Sequence, residues 1–184
     1  MAEIVVGVTG GIAAYKTAAL VSKLVQDGVG VSVVMTAAAE RFIGAATFAA
    51  LTGRAVARDV FDVAQFPLGA HVTLAEQAEL LVVAPASADF LAKAAHALAD
   101  DLLATLYLAF KGRVLMAPAM NTAMWEQPAV QRNIAQLRSD GVQFVEPTSG
   151  WLSCRQVGAG RMAEPETILA AIRNLLAAAD SRKK

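Results

Sequence analysis

Short aliphatic runs alternate along this chain with longer stretches whose apolar positions recur at helical spacing. Ile4 to Val8, Val31 to Met35, Leu80 to Ala84 and Val114 to Ala117 are continuous apolar runs, the pattern of strands buried on both faces. Gln143 to Val145 reads as a further strand, and Arg54 to Phe61 as a short edge strand, giving six. Between them, Ile12 to Gln26 places Leu20, Leu24 and Val25 on one side and ends at Gly28. Thr36 opens a helix running through Phe42 to about Leu51, where Gly53 stops it. His71 to Gln77 makes one or two helical turns. Pro85 breaks the strand before it, and Asp89 to Ala95 and Asp100 to Phe110 follow as helices. Pro128 suits the first turn of a helix to about Asp140, and Pro165 or Glu166 begins a closing helix to about Ala179. Such alternation predicts an α/β fold: a six-stranded parallel sheet covered on both faces, three layers in one domain spanning residues 1–184. Residues 148–163 form the one long irregular segment, expected to be a flexible substrate loop, and residues 180–184 a disordered tail.

Composition narrows the classes. Hydrophobic residues make up 56% of the 184, which suggests that some apolar surface is buried between subunits. Net charge is zero, so nothing draws the chain as a whole to nucleic acid or an anionic membrane. A single cysteine, Cys154, excludes an internal disulfide and fits a reducing, cytoplasmic setting. Glu3 interrupts the first apolar stretch and no basic region precedes it, so no signal peptide is expected. No run of about 18 apolar residues reads as a membrane span. No metal-ligand pattern is present either.

The candidate chemistry lies where strands end, the ligand edge of an open α/β sheet. Gly7-Val8-Thr9-Gly10-Gly11-Ile12 resembles a phosphate loop without matching the three spaced glycines of the dinucleotide fingerprint. The second strand ends in Met35-Thr36 and not in the acid that would hold an adenosine ribose. The third gives Ala84-Pro85-Ala86-Ser87-Ala88-Asp89. Taken singly, Thr36, Ser87 and Asp89 read as helix caps. Taken together with Gly10 and Gly11, they suit the terminal phosphate of a mononucleotide. The fourth strand leads into Pro118-Ala119-Met120-Asn121-Thr122-Ala123-Met124-Trp125. There the Asn121 carboxamide sits among soft, flat apolar groups, although a strand-to-helix turn with Asn as its cap reads equally well. His96 lies in an Ala-rich stretch and reads as structural. His71, at the start of a short helix, is either a base or anion donor near neutral pH or a satisfied surface histidine. Cys154, between glycines in the 148–163 segment, is an available acid or else an inert thiol.

Four stretches carry a resemblance: Thr9 to Ala13, Ala84 to Asp89, Pro118 to Trp125, and Gly158-Ala159-Gly160-Arg161-Met162-Ala163-Glu164-Pro165. With them the chain, from about residue 4 to residue 179, resembles the flavin-dependent cysteine decarboxylases, above all the phosphopantothenoylcysteine-decarboxylating branch that serves coenzyme A synthesis. The resemblance implies a Rossmann-like fold, bound FMN, and trimers or dodecamers with sites between subunits. It also implies a synthetase domain or partner that makes the substrate. It assigns FMN contacts to Gly10, Gly11, Ile12, Thr36, Ala37, Ala38, Ser87, Ala88, Asp89, Phe90 and Ala119. Catalysis falls to His71, Asn121 and Cys154, and substrate contacts to Asn121, Met124, Cys154, Gly160, Arg161 and Met162. Arg155 departs from the glycine that many relatives carry after the cysteine, which bears on the local conformation of that loop.

The implied reaction oxidises the substrate's cysteine β-carbon to a thioaldehyde, loses carbon dioxide to give an enethiolate, then returns a hydride while Cys154 supplies a proton. Asn121 would orient the carboxylate through neutral hydrogen bonds and His71 would assist the thiol. Peptidyl-cysteine decarboxylases of peptide-antibiotic maturation resemble the chain too, but stop at the enethiol and lack the reducing cysteine loop. A non-catalytic flavin-binding regulator is a further alternative, against which His71, Asn121 and Cys154 are all present. A flavin prenyltransferase is weaker, since the Pro-Ala-Met-Asn motif is not its pattern.

Overall fold

The computed structural model describes residues 2–180; of the tail expected at 180–184, Asp180 ends the last helix and 181–184 lie outside the described residues. Five strands, β1 (Glu3–Val8), β2 (Gly30–Met35), β3 (Leu80–Ala86), β4 (Arg113–Pro118) and β5 (Gln143–Phe144), form a parallel sheet in the order β2-β1-β3-β4-β5. Their side chains alternate between two cores. Ile4, Val6, Val8, Val33, Leu80, Val82 and Leu115 point to one face, where they meet helices α1 (Ala14–Gln26), α2 (Ala45–Thr52) and α8 (Pro165–Asp180). Val5, Val34, Leu81, Val83 and Met116 point to the other. That face is covered by α3 (Ala70–Gln77), α4 (Ala88–Ala95), α5 (Leu102–Ala109) and α7 (Pro128–Ser139). Burial on both faces is why these strands read as unbroken apolar runs.

The strand count is a correction from six to five. Residues 54–61 contribute a single bridge, Val34 to Ala57, closed by Ala57 N–H to Val33 O at 2.9 Å and Met35 N–H to Ala57 O at 3.0 Å. Only Ala57 of that stretch is buried, and Arg54, Arg58 and Asp59 on either side are exposed, so no ladder propagates. The helix expected from Thr36 to Leu51 is likewise two pieces, a 3₁₀ turn at Ala39–Arg41 and α2, separated where Gly44 is extended at ψ 141°. Strand β3 runs past Pro85, whose peptide bond is cis, with a register shift between Val83 and Ala86. The 148–163 segment folds as an antiparallel hairpin of β6 (Thr148–Trp151) and β7 (Val157–Arg161). Among the described residues no helix is long and apolar enough to cross a membrane.

The strand order reverses its direction of growth between β1 and β3, and α/β sheets of this order hold their ligands in the crevice beyond the carboxyl ends at that point. At the opposite edge, Arg54 clamps Glu3 with two bonds of 2.7 and 3.0 Å. These hydrogen bonds hold the Glu3 carboxyl below its ordinary value, against the partial burial that raises it. A depressed folded-state value means stability that is present above the unfolded-state pKa, near 4.5, and lost as pH falls through the folded value. Both groups are partly exposed, so Arg54→Met should cost under about 1 kcal/mol at pH 7. In denaturant titrations the difference between parent and variant should shrink as pH falls below about 4.5 and vanish once Glu3 is protonated in the folded state as well.

Candidate active site

Backbone and buried hydroxyls lace the carboxyl ends of four strands together. Thr36 N–H donates to Val8 O at 3.1 Å, joining β2 to β1, and Ala119 N–H donates to Ala86 O at 3.1 Å, joining β4 to β3. Between β1 and β3 the link is the buried Thr9 hydroxyl, which donates to Pro85 O at 2.7 Å and accepts from Ser87 N–H at 2.9 Å. Thr17, also buried, donates to Ala84 O at 2.7 Å. Sequence reasoning missed both threonines as architects of the site. A buried Thr beside a Gly-Gly turn was the available signal, and Thr17 carried none until the fold was known.

The turn after β1 leaves donors open. The N–H groups of Gly10, Gly11, Ile12 and Ala13 find no acceptor among the described residues. Helix α1 follows with no side-chain cap and no acidic residue in its first turn, so its amino end is a ready anion site. Gly10 is required for close approach, because a Cβ there would stand 2.6 Å from the Ala38 Cβ. Thr36 Oγ1 accepts from Ala39 N–H at 3.3 Å, and Ser87 Oγ accepts from Phe90 N–H at 3.2 Å as the cap of α4. Both hydroxyls therefore serve as caps and still carry a free proton to donate outward. The first-turn N–H groups of Ala88 and Asp89 also precede the helix's own ladder. The Asp89 carboxylate pairs with Lys93 at 3.2 Å, and Phe90 is buried against Tyr107. The Ala119 N–H is spent on Ala86. Of the expected cofactor contacts, Phe90 and Ala119 thus offer shape instead of donors.

Asn121 caps the four-residue helix α6 (Thr122–Trp125), its Oδ1 accepting from Met124 N–H at 2.9 Å. That bond fixes the flip of the carboxamide and leaves Nδ2, a pure donor, exposed beside the half-exposed Met124. The hairpin docks on this loop. Met120 N–H donates to Gly160 O at 2.9 Å, and Thr122 Oγ1 donates to Ala159 O at 2.8 Å. Any side chain at Gly160 would meet Met120 O at 2.4 Å, and its φ of 107° already excludes one. At Gly158 a Cβ would strike Thr122 Oγ1 at 2.2 Å. The glycines that made this stretch look irregular are what let it pack against the Asn121 loop. Met162 has its side chain in the core and Gly160 is buried, so of the three substrate contacts expected there Arg161 is the one that is partly exposed.

Cys154 is exposed at the hairpin tip, which is closed by Leu152 N–H to Gln156 O at 2.8 Å and Arg155 N–H to Leu152 O at 2.9 Å. Arg155 takes φ 63°, the left-handed conformation that glycine adopts freely. The departure noted in the sequence therefore falls at the one tip position where it strains the backbone. His71 opens α3, at the carboxyl edge because the helix runs antiparallel to the strand it precedes. Its Nδ1 is shielded from solvent with no hydrogen-bond partner among the described residues. Such an orphan costs about 1–3 kcal/mol unless something outside the chain satisfies it. No hydrogen bond joins His71 to Asn121 or Cys154 among the described residues, so the chain couples Asn121 with the hairpin but leaves His71 apart. Surface cavities of about 690 and 740 Å³ run along the β2 edge and touch the expected site residues only at Ala37. The strand-end crevice is the better site, because the free donors converge there. No group of three His, Cys, Asp or Glu among the described residues could hold a metal ion.

Comparison with known proteins gives this edge a context. The family model described as Flavoprotein matches residues 1–177. The coenzyme A biosynthesis bifunctional protein CoaBC of Bacillus subtilis is 48% identical over 162 residues, covering 88% of this chain and 40% of that protein. CoaBC of Mycolicibacterium smegmatis is 48% identical over 180 residues, covering 97% of this chain and 43% of its own length. The chain thus spans about two fifths of the curated relatives it matches. Among solved structures, a PPC decarboxylase mutant complexed with pantothenoylaminoethenethiol superposes with a TM-score of 0.87 at 28% identity, over 94% of this chain and 96% of that one. The FMN-dependent cysteine decarboxylase SpaF superposes at 0.84 with 37% identity, over 98% of each.

Proposed function

This chain belongs to the Flavoprotein family, and we propose that it is an FMN-dependent decarboxylase. In this reading it converts 4'-phospho-N-pantothenoylcysteine to 4'-phosphopantetheine in coenzyme A synthesis. The observation that carries the reading is the clamp of Gly158 to Gly160 on Met120 to Thr122, which docks the arm bearing Cys154 on the loop bearing Asn121. The likeness to CoaBC proteins and to a PPC decarboxylase supports it. The free N–H groups at Gly10 to Ala13, with the Thr36 and Ser87 hydroxyl protons, fit the phosphate of FMN.

Bound FMN would supply the redox chemistry, taking a hydride equivalent from the substrate's cysteine β-carbon and returning it once carbon dioxide has left. The chain's own residues do the rest. With Oδ1 committed to Met124, Asn121 turns Nδ2 towards the substrate carboxylate. A neutral donor orients that group without the strong ground-state stabilisation an Arg pair would add. Cys154 delivers the proton to the enethiolate from the hairpin tip. His71 directs its unpartnered Nδ1 to the substrate thiol or to a second protomer, so a trimer or dodecamer with sites between subunits completes the arrangement. A synthetase domain or partner would make the substrate, and the setting would be cytoplasmic.

Flavin-loaded protein given phosphopantothenoylcysteine should yield phosphopantetheine and carbon dioxide, read by mass spectrometry; turnover only of a peptide with a carboxy-terminal cysteine would move it to the peptide-modifying class. The match to the FMN-dependent cysteine decarboxylase SpaF fits either reading. Asn121→Asp sharpens the site. Aspartate caps helices as well as asparagine, so fold and flavin binding should persist. Yet a carboxylate would face a carboxylate, at several kcal/mol, and turnover should fall by about 10²-fold or more. Near-normal steady-state rates in that variant would remove Asn121 from the mechanism.

A further inference from the structure

Lys16 is a buried cation, 6% exposed, on the first turn of α1 just beyond the Gly10–Ala13 donors. Its Nζ donates to Met162 O at 3.1 Å and to Glu164 Oε1 at 3.0 Å. Glu164 Oε1 also pairs with Arg161 Nη2 at 2.8 Å. The three groups thus tie the start of α1 to the point where β7 leaves the hairpin. Burying an ammonium is costly, and replacing a buried ion pair as a whole by apolar side chains of similar volume is often neutral or stabilising. A charge kept at this junction therefore gains its place by geometry: it fixes where the hairpin exits and, through the Met120–Gly160 and Thr122–Ala159 bonds, how the hairpin lies on the Asn121 loop.

We infer that Lys16 and Glu164 are positioning residues that hold the hairpin in register for Cys154, and that they thereby decide whether the product leaves saturated or as the enethiol. The product half of this inference rests on the decarboxylase reading. With the hairpin docked, the enethiolate takes up the returned hydride and the Cys154 proton, and its carbon–carbon double bond becomes single. With the hairpin adrift, protonation fails and the enethiol departs oxidised by two electrons. Dioxygen then collects those electrons and two protons as hydrogen peroxide.

The test compares parent, Lys16→Met, Glu164→Gln and Lys16→Arg, the last keeping donors for both acceptors. Amide hydrogen exchange over residues 148–162 and at Met120, with and without FMN, reads the clamp independently of turnover. Product ratio in air with phosphopantothenoylcysteine reads the consequence. Lys16→Met and Glu164→Gln should bind FMN and release carbon dioxide within about threefold of the parent. Hairpin exchange should accelerate at least about tenfold, and the saturated product should fall by about 10²-fold relative to enethiol, the usual effect of a misplaced catalytic group. Lys16→Arg should recover most of the parent ratio. Should Lys16→Met fail to fold, Glu164→Gln decides alone, since its side chain is half exposed at 48% and its loss leaves the core intact. Unchanged exchange, or faster exchange with an unchanged product ratio, overturns the inference. A parent inactive on phosphopantothenoylcysteine overturns the decarboxylase reading instead, while exchange still tests the clamp.

Discussion

Gly11→Asp should give a folded protein that purifies without flavin. The position has room: a Cβ there meets nothing nearer than Pro85 Cγ at 3.9 Å, and its φ is not among the positive values. Gly11→Ala is therefore the control, and it should keep its flavin. Gly10 cannot serve, because a side chain there would drive the β1 and β2 loops apart at 2.6 Å. What aspartate adds is charge, set among the free N–H groups that are proposed to receive the phosphate. The carboxylate would compete for those donors and repel the dianion. Like charges at close range cost several kcal/mol where water is excluded, which amounts to a loss of about 10²- to 10⁴-fold in FMN affinity. Visible absorption of the purified variant, followed by titration with FMN, reads the effect directly. Stoichiometric flavin on Gly11→Asp would place the phosphate elsewhere.

The central strands were legible because burial on both faces writes itself as continuous aliphatic runs, and Ile4 to Val8 and Leu80 to Ala84 could scarcely be anything else. Residues 54–61 carry a strand-like pattern but no strand, because one buried position, Ala57, and two bonds do not make a ladder. The hairpin looks like a loop in sequence for the opposite reason. Its order comes from contacts with Met120 and Thr122 that require glycine, and glycine in sequence signals irregularity. Thr36 and Ser87 fit both caps and phosphate ligands in sequence, and since a hydroxyl has both an acceptor and a donor, the two roles are compatible. Asp89 and Lys93 show the reverse, a strand-end acid whose carboxylate is taken up by an ion pair. Lys16 and Glu164 gave no sign at all, since partners 148 residues apart meet only when α1 and the hairpin exit are both in place.

Cys154→Ser should decarboxylate its substrate and then stop. The residue is exposed at the tip of the hairpin, and the bonds that close that tip run between Leu152, Arg155 and Gln156 backbones. Exchanging sulfur for oxygen leaves them untouched, so fold, hairpin docking and flavin binding should match the parent. The strain stored at Arg155, about 1–2 kcal/mol for a side chain in the left-handed region, is also common to both proteins. The difference is then confined to acidity. A well-placed acid contributes about 10²- to 10⁴-fold, and a hydroxyl is a far weaker acid than a thiol. Under anaerobic conditions the variant should release carbon dioxide about once per bound flavin, with the aminoenethiol as product by mass spectrometry. Admitting oxygen should restart it as an oxidative decarboxylase that makes peroxide, the behaviour of the peptide-modifying alternatives. Phosphopantetheine formed at the parent rate would instead make Cys154 a structural residue, and the proton would have to come from another group at the strand edge.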